Sequence, residues 1–406
     1  MASQNPPIQL SLRTVTSPET PTRRNICDPA SPPLSSQSSS PIAPKPNQYV
    51  PERDDDNECD RMPNEFLDEI DIAHEDSGRA VEFGRGVWSV VYMASSHPSS
   101  RTSSVLTPPS SPGTKSSILA VKTPARRDAR SVLCSEAQML TRLSRTPGNE
   151  LYVVPFQGYV SSTSTIVMSG IPLALSTYIE EEANNAKKKP PSTRTIFDPI
   201  QGQGQWRDLA VKIISGLSWL HNTAHTVHGD IKPQSFLLRT RTTSSRSNKN
   251  LDNDDEFPYE PVFADFSSAH DLSSSSTATD NDNNERGSSS MSALTPPFAA
   301  PEFLSVRALT SPGMVPTTAS DIFSLSVTLL AAATGDLLVY SGANNMQRLL
   351  MAREGHRLIE FARSGTSGTR VPRNGIVEQI LKPAIAKDPA QRVSADAWLE
   401  IIQGLS

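Results

Sequence analysis

The chain has 406 residues, of which 36% are hydrophobic and 34 are proline, and it carries a net charge of −5. These values allow one large domain or two small ones, with a good deal of unpacked polar sequence beside a packed core. The acidic balance excludes a general nucleic-acid binder, and the three cysteines (Cys27, Cys59, Cys134) exclude a disulfide scaffold. The longest apolar-rich run, Ile322–Ala333, falls short of the ~20 residues a membrane span needs. The opening MASQNPPIQL has neither the basic nor the apolar region of a secretory signal, which points to a cytoplasmic or nuclear protein.

Residues 1–64 read as a disordered Ser/Pro-rich arm with an acidic end. Glu52–Asp76 holds twelve acidic residues against two arginines and reads as a solvated linker before it reads as a docking motif. Order is expected to begin near Phe66. Over 65–170 the pattern predicts strands at Ala80–Gly84, Trp88–Ala94 and Ser116–Lys122, with a disordered insert at 95–115. A helix over Arg126–Leu143 follows, then strands at Tyr152–Tyr159 and Ser164–Ser169. Over 171–406 the chain turns helical. Leu209, Ile213, Gly216, Leu217 and Leu220 share one helical face, and Asp321–Thr334 is apolar on nearly every side, as a buried helix is. Ile376–Leu381, stopped by Pro383, and Ala395–Ile402 close the domain. Disordered polar inserts are expected at 184–199, 239–260 and 271–292.

Gly84-Arg85-Gly86-Val87-Trp88-Ser89-Val90-Val91 fits G-x-G-x-x-S-x-V, where glycine lets the backbone approach a polyphosphate; an ordinary β-turn also explains it. Ala120-Val121-Lys122 ends the third strand, and Glu136 follows on the helix. A lysine fixed by a carboxylate can present its ammonium to phosphate oxygens, although a surface ion pair accounts for the same two residues.

The most informative stretch is Val227-His228-Gly229-Asp230-Ile231-Lys232-Pro233-Gln234-Ser235-Phe236-Leu237-Leu238. It resembles the catalytic loop H-R-D-L-K-P-E-N-I-L-L of eukaryotic protein kinases. Phe263-Ala264-Asp265-Phe266-Ser267 is similar to their D-F-G, and Thr295-Pro296-Pro297-Phe298-Ala299-Ala300-Pro301-Glu302 to T-P-x-Y-x-A-P-E. Asp321 and Asp388-Pro389-Ala390-Gln391-Arg392 follow in the family's order, so the resemblance covers roughly residues 80–402. It implies an α+β, two-lobed kinase-like fold: a small antiparallel sheet lobe with one helix over a larger, mainly helical lobe. ATP, with Mg²⁺ or Mn²⁺, would lie between them.

By the same resemblance, Asp230 would take or orient the substrate hydroxyl proton and Lys232, typical of the Ser/Thr branch, would steady the transferred phosphoryl group. Lys122 and Glu136 would serve the phosphates, and Asp265 and Ser235 would hold metal. Gly84, Gly86, Ser89, Val91, Ala120, Met168 and Gly170 would surround the nucleotide. Thr295 and Phe298 belong to a substrate-docking loop. Glu302 and Arg392 would form an internal ion pair, and Asp321 would be either a helix N-cap or the anchor of the catalytic-loop backbone. His228 is expected to pack and hydrogen-bond.

Three residues depart from the family pattern. Ser235 replaces the second metal-binding Asn, Ser267 the Gly of D-F-G, and Gly229 the Arg before the catalytic Asp. Gly229 implies that phosphorylation of the activation segment does not switch the enzyme on through that Arg. Ser235 keeps open a pseudokinase scaffold that binds ATP weakly or not at all, and His-Gly-Asp also resembles aminoglycoside and choline kinases. The expected partner is a protein substrate, with no nucleic acid and no membrane. Ser17, Thr20, Ser31, Ser40, Thr107, Ser111 and Ser311 each precede proline. They read first as linker composition and second as targets of proline-directed kinases.

Overall fold

The sheet of the first lobe follows from side-chain alternation. In β4 (Leu119–Pro124), Leu119 and Val121 point to one face and Ala120 and Lys122 to the other. The strands before it are β1 (Glu69–Ile72), β2 (Glu82–Arg85) and β3 (Ser89–His97); after it come β5 (Phe156–Val160) and β6 (Thr165–Ser169). The antiparallel order is β1-β3-β4-β6-β5, with β2 also paired to β3. Helix α1 (Ala129–Arg145) packs Leu133, Ala137 and Leu140 against the Ala120 face. The opposite face is covered by Ala94, Leu119, Val121 and Val167 together with Phe66 and Ile70. The structure, a computed structural model, describes residues 62–97, 118–188, 195–241, 255–272, 295–305, 314–340 and 342–405. Residues 1–61 of the arm expected at 1–64, most of the inserts at 95–115, 239–260 and 271–292, part of that at 184–199, and the Ser-Pro and Thr-Pro pairs named above lie outside these residues.

The second lobe is built from α2 (Leu175–Lys188), α3 (Gln203–Ser218), α4 (Thr318–Thr334), α5 (Asn345–Arg353), α6 (Leu358–Ser364), α7 (Ile376–Leu381) and α8 (Ala395–Gly404). Short antiparallel pairs join β7 (Thr226–Val227) to β10 (His270–Asp271) and β8 (Phe236–Thr240) to β9 (Tyr259–Phe263). Helix α4 is buried all round, and its Leu329 carbonyl accepts the indole N–H of the buried Trp206 at 3.0 Å. Its N-cap is Thr317, in a capping box with Ser320. No helix among the described residues is long and apolar enough to cross a membrane.

The structure differs from the sequence expectations in several places. Strand β1 lies inside the acidic stretch expected to be a linker, because Ile70 alternates inward between the exposed Glu69 and Asp71. Helix α2 continues through Asn184 to Lys188, where polar composition places an insert, and it buries Leu175, Tyr178 and Ile179. The insert at 239–260 is narrower than its composition suggests. β8 runs to Thr240, and Phe257 is fully buried with its carbonyl accepting from Lys212 Nζ at 3.2 Å.

Candidate active site

Lys122 and Glu136 are brought together by the two apolar faces just described. Lys122 shares its sheet face with Ala120, and Glu136 precedes Ala137 on the helix face seated there. Lys122 Nζ donates to both Glu136 carboxylate oxygens at 2.8 Å and to Asp265 Oδ1 at 2.7 Å. Asp265 reaches it from the end of β9 with φ +63°, a left-handed conformation that strains a non-glycine residue. Three bonds hold this backbone in place. They are the Lys122 contact, a Ser267 hydroxyl bond to Asp265 Oδ1 at 3.0 Å, and the Phe266 N–H bond to Glu136 Oε1 at 3.1 Å.

The catalytic-loop residues are suspended from α4. Asp321 sits one turn inside that helix rather than at its cap. Its Oδ2 accepts the His228 N–H at 2.8 Å and His221 Nε2 at 3.1 Å, and its Oδ1 accepts the Gly229 N–H at 3.0 Å. His228 is fully buried; Nε2 donates to the Ala264 carbonyl at 3.1 Å and the ring lies against Phe266. This residue therefore ties the loop to the segment that carries Asp265. Gly229 has φ +84°, and a Cβ there would lie 2.6 Å from the Ser268 carbonyl oxygen, so the backbone leaves no room for a side chain.

Asp230 is paired with Lys232, which also donates to Thr295 Oγ1 at 3.1 Å; the Thr295 hydroxyl in turn donates to Asp230 Oδ1 at 3.2 Å. The Ser235 hydroxyl donates to the Asp230 carbonyl at 2.8 Å, and Ser235 is almost wholly buried. Phe298 is buried in the second lobe. Glu302 and Arg392 form a two-pronged pair at 2.8 and 2.7 Å, and the fully buried Arg392 side chain also donates to the Ala386 and Ala319 carbonyls.

The residues expected around the nucleotide are spread along β4: Ser89 pairs with Pro124 at its end, and the Gly170 N–H donates to the Ile118 carbonyl just ahead of its start. Gly86 N–H donates to the Ser89 carbonyl at 2.8 Å, closing the β2–β3 hairpin, and the space beyond Gly84 is open. Val91 is half-buried on the main core, and Ala120 pairs in register with Met168. Gly170 approaches Ile118 closely enough that a Cβ would lie 2.6 Å from its side chain.

Burial would lower the Lys122 ammonium, but Asp265 and Glu136 outweigh it and hold the lysine above its usual range. Burial would likewise raise Asp265, yet Lys122 holds that carboxyl well below the carboxylate range. Burial raises Glu136, and the second carboxylate adds to the rise against Lys122. Asp230 is also raised by burial, with Lys232 opposing and Asp265 reinforcing the shift. A raised carboxyl facing a cleft suits proton acceptance from a hydroxyl.

Among the described residues no group of three or more His, Cys, Asp or Glu forms a ready cage for a metal. Mg²⁺ in phosphoryl-transfer sites takes one or two carboxylates and completes its shell with phosphate oxygens and water, and this donor set fits that habit. Asp265, with a side chain 41% exposed, is the carboxylate open to such an ion. Ser235 offers a short arm already turned to the Asp230 backbone.

Sequence reasoning does not reach the His221–Asp321 bond, which joins residues 100 positions apart, nor the Thr295–Asp230 bond. The Ser267–Asp265 bond spans two residues, a spacing at which serine commonly bonds locally.

No curated protein matches the chain. The family model for the protein kinase domain matches residues 112–401, starting after the glycine hairpin and covering β4, the catalytic loop and most of α8. With that match falling on a lysine bridged by two carboxylates and a catalytic loop hung from a buried aspartate, the chain belongs to the protein kinase family.

Proposed function

We propose that the chain transfers the γ-phosphoryl group of ATP to Ser or Thr hydroxyls of protein substrates. The supporting observation is the triangle of Lys122 with Glu136 and Asp265, facing an Asp230 that is itself tied to Lys232 and Thr295. Phosphoryl transfer asks the protein for positioning and charge neutralisation more than for covalent chemistry. Lys122 supplies positive charge for the nucleotide phosphates. Asp265 carries the carboxylate for Mg²⁺, which when bound would neutralise charge on those phosphates. Asp230 accepts the hydroxyl proton, and Lys232 and Thr295 fix its orientation. Gly84 and Gly86 leave room for phosphates, and Val91, Ala120, Met168 and Gly170 line the nucleotide base. Lys232 and Thr295 favour an aliphatic hydroxyl acceptor. The substrate is a protein, met in the cytoplasm or the nucleus.

The test is radioactive phosphate transfer from ATP to the chain itself or to a generic basic protein, with Mg²⁺ or Mn²⁺. Asp230→Asn should abolish it; equal transfer by that variant removes the assignment. A second reading, a nucleotide-binding scaffold with little turnover, is favoured by the bond between Ser235 and the Asp230 carbonyl. Mg²⁺-dependent ATP binding without transfer to any protein would select it.

A further inference from the structure

The residues just ahead of β1 do more than lead into the sheet. The Asn64 carbonyl accepts the Tyr159 N–H at 2.7 Å, and the Phe66 N–H donates to the Tyr159 carbonyl at 2.9 Å, so the segment is paired to the free edge of β5. Glu65 reinforces this by accepting the Ser161 N–H at 3.2 Å and its hydroxyl at 2.7 Å. The seat is shaped for it: Gly158 has φ +152°, and a Cβ there would lie 2.9 Å from that of Phe66. On its other side the same segment grips α1. The Asn64 N–H donates to Thr141 Oγ1 at 3.0 Å, and Arg145, one turn further along the same helix face, donates to Asn64 Oδ1 at 3.4 Å. Thr141 is almost fully buried, and its hydroxyl continues to the Ala137 carbonyl at 2.8 Å.

Two of the polar links that thus join helix α1 to the sheet differ in kind. One is the Lys122–Glu136 pair; the other is Asn64 bridging Thr141 and Tyr159. Thr141 lies five residues from Glu136, about 7.5 Å along the helix axis. A rigid helix held there has its carboxylate delivered to Lys122 before any nucleotide arrives.

We infer that Asn64–Phe66 is a positioning strap, which sets the place of Glu136 by tying Thr141 of α1 to the edge of β5. The strap touches neither nucleotide nor substrate. The inference deepens the phosphoryl-transfer reading and rests on it only for its kinetic consequence.

The test uses the full chain. Thr141→Val removes the acceptor at constant shape, and Thr141→Ser keeps it; Asn64→Pro removes the donor from the other side, together with the amide that accepts from Arg145, and changes no residue of the helix. Thr141→Val and Asn64→Pro should each lower kcat/KM for ATP about tenfold, the scale of one buried hydrogen bond, and Thr141→Ser should restore it. In a Glu136→Gln background the same changes should have less than about a twofold effect, because residues acting through one another do not add. A change that only destabilised the fold would act equally in both backgrounds. Amide hydrogen exchange supplies a readout that needs no ATP. Exchange over Leu133–Leu140 should quicken in both variants while β4 is unchanged. Unchanged exchange in α1, or an equal loss of kcat/KM in the Glu136→Gln background, overturns the strap. If the wild-type chain transfers no phosphate, the Ser/Thr kinase reading falls by itself, and the exchange result alone decides the strap.

Discussion

Lys122 and Asp265 meet at 2.7 Å although 143 positions separate them in the chain, and the same ammonium holds Glu136 at 2.8 Å. One cation therefore balances two carboxylates, the buried Glu136 and the more open Asp265, that would otherwise repel each other. Lys122→Met should abolish transfer and also lower stability by about 3 kcal/mol, since removing one side of a buried pair leaves the other uncompensated. The pH dependence carries a sign. Asp265 is depressed in the folded chain, so its contribution is present above its ordinary value near 3.8 and is lost as pH falls through the lower folded value. Denaturant titration across pH 2–7 should show a steeper acid loss in the wild type than in Lys122→Met, and equal slopes would contradict the pairing.

Ser235 offers a sharper test of the metal question. Its hydroxyl donates to the Asp230 carbonyl, a bond that an Asn amide can also make while its second arm extends further into the cleft. Ser235→Asn should raise turnover at low Mg²⁺ by about threefold or more and leave turnover at saturating Mg²⁺ nearly unchanged. Ser235→Ala should instead lower kcat about fivefold by releasing the Asp230 backbone. A flat Mg²⁺ response in both variants would remove position 235 from the reaction.

Much of this chemistry is legible in the sequence because each motif lies within a few residues. Lys122 ends an apolar strand, His228–Ser235 is continuous, and Asp265 directly follows Val262, Phe263 and Ala264. What escapes is the set of polar links between distant segments. Nothing in Asn64 or Thr141 marks them as partners, and Asp321 shows its role only when His221, His228 and Gly229 converge on it. Composition also misleads where charge dominates. The acids around Ile70 and Ile72 hide a strand, and the polar end of α2 hides three buried residues at its start. Helices α5 and α6 are likewise short elements whose existence depends on the surface they pack against.

Ser267 tests whether the third residue of the D-F-S triplet is passive. Its hydroxyl helps hold Asp265 in a left-handed conformation by bonding the carboxylate at 3.0 Å. Ser267→Ala should weaken Mg²⁺-dependent ATP binding about three- to tenfold, and Ser267→Thr should largely preserve it. Ser267→Gly should fall between them, gaining backbone freedom while losing the bond. Equal ATP affinity in all three, measured by calorimetry, would show that the Lys122 and Phe266 bonds hold Asp265 without help from Ser267.

Asp230 predicts the acid limb of the rate profile. Burial raises its carboxyl above the ordinary 3.8, and the base must be ionised to take a proton. Activity should therefore decline on acidification at a pH clearly above that of an ordinary aspartate. Lys232 opposes the rise, so Lys232→Met should move the acid limb of kcat to still higher pH while reducing kcat itself. A limb that stays in place would mean that another group governs it.

Gly229 connects geometry to regulation. With φ +84° and the Ser268 carbonyl oxygen 2.6 Å from where a Cβ would stand, position 229 is closed to side chains by the backbone of the activation segment itself. Gly229→Ala should destabilise the fold by about 1–3 kcal/mol through backbone strain, and the clash adds to it. Gly229→Arg should destabilise at least as much and should not make activity depend on phosphorylation of the segment, because the guanidinium has no route out past Ser268 and Pro316. Thermal unfolding with and without phosphatase treatment checks both points. A stable Gly229→Arg protein whose activity falls on dephosphorylation would show that the segment has a second arrangement with space at this site.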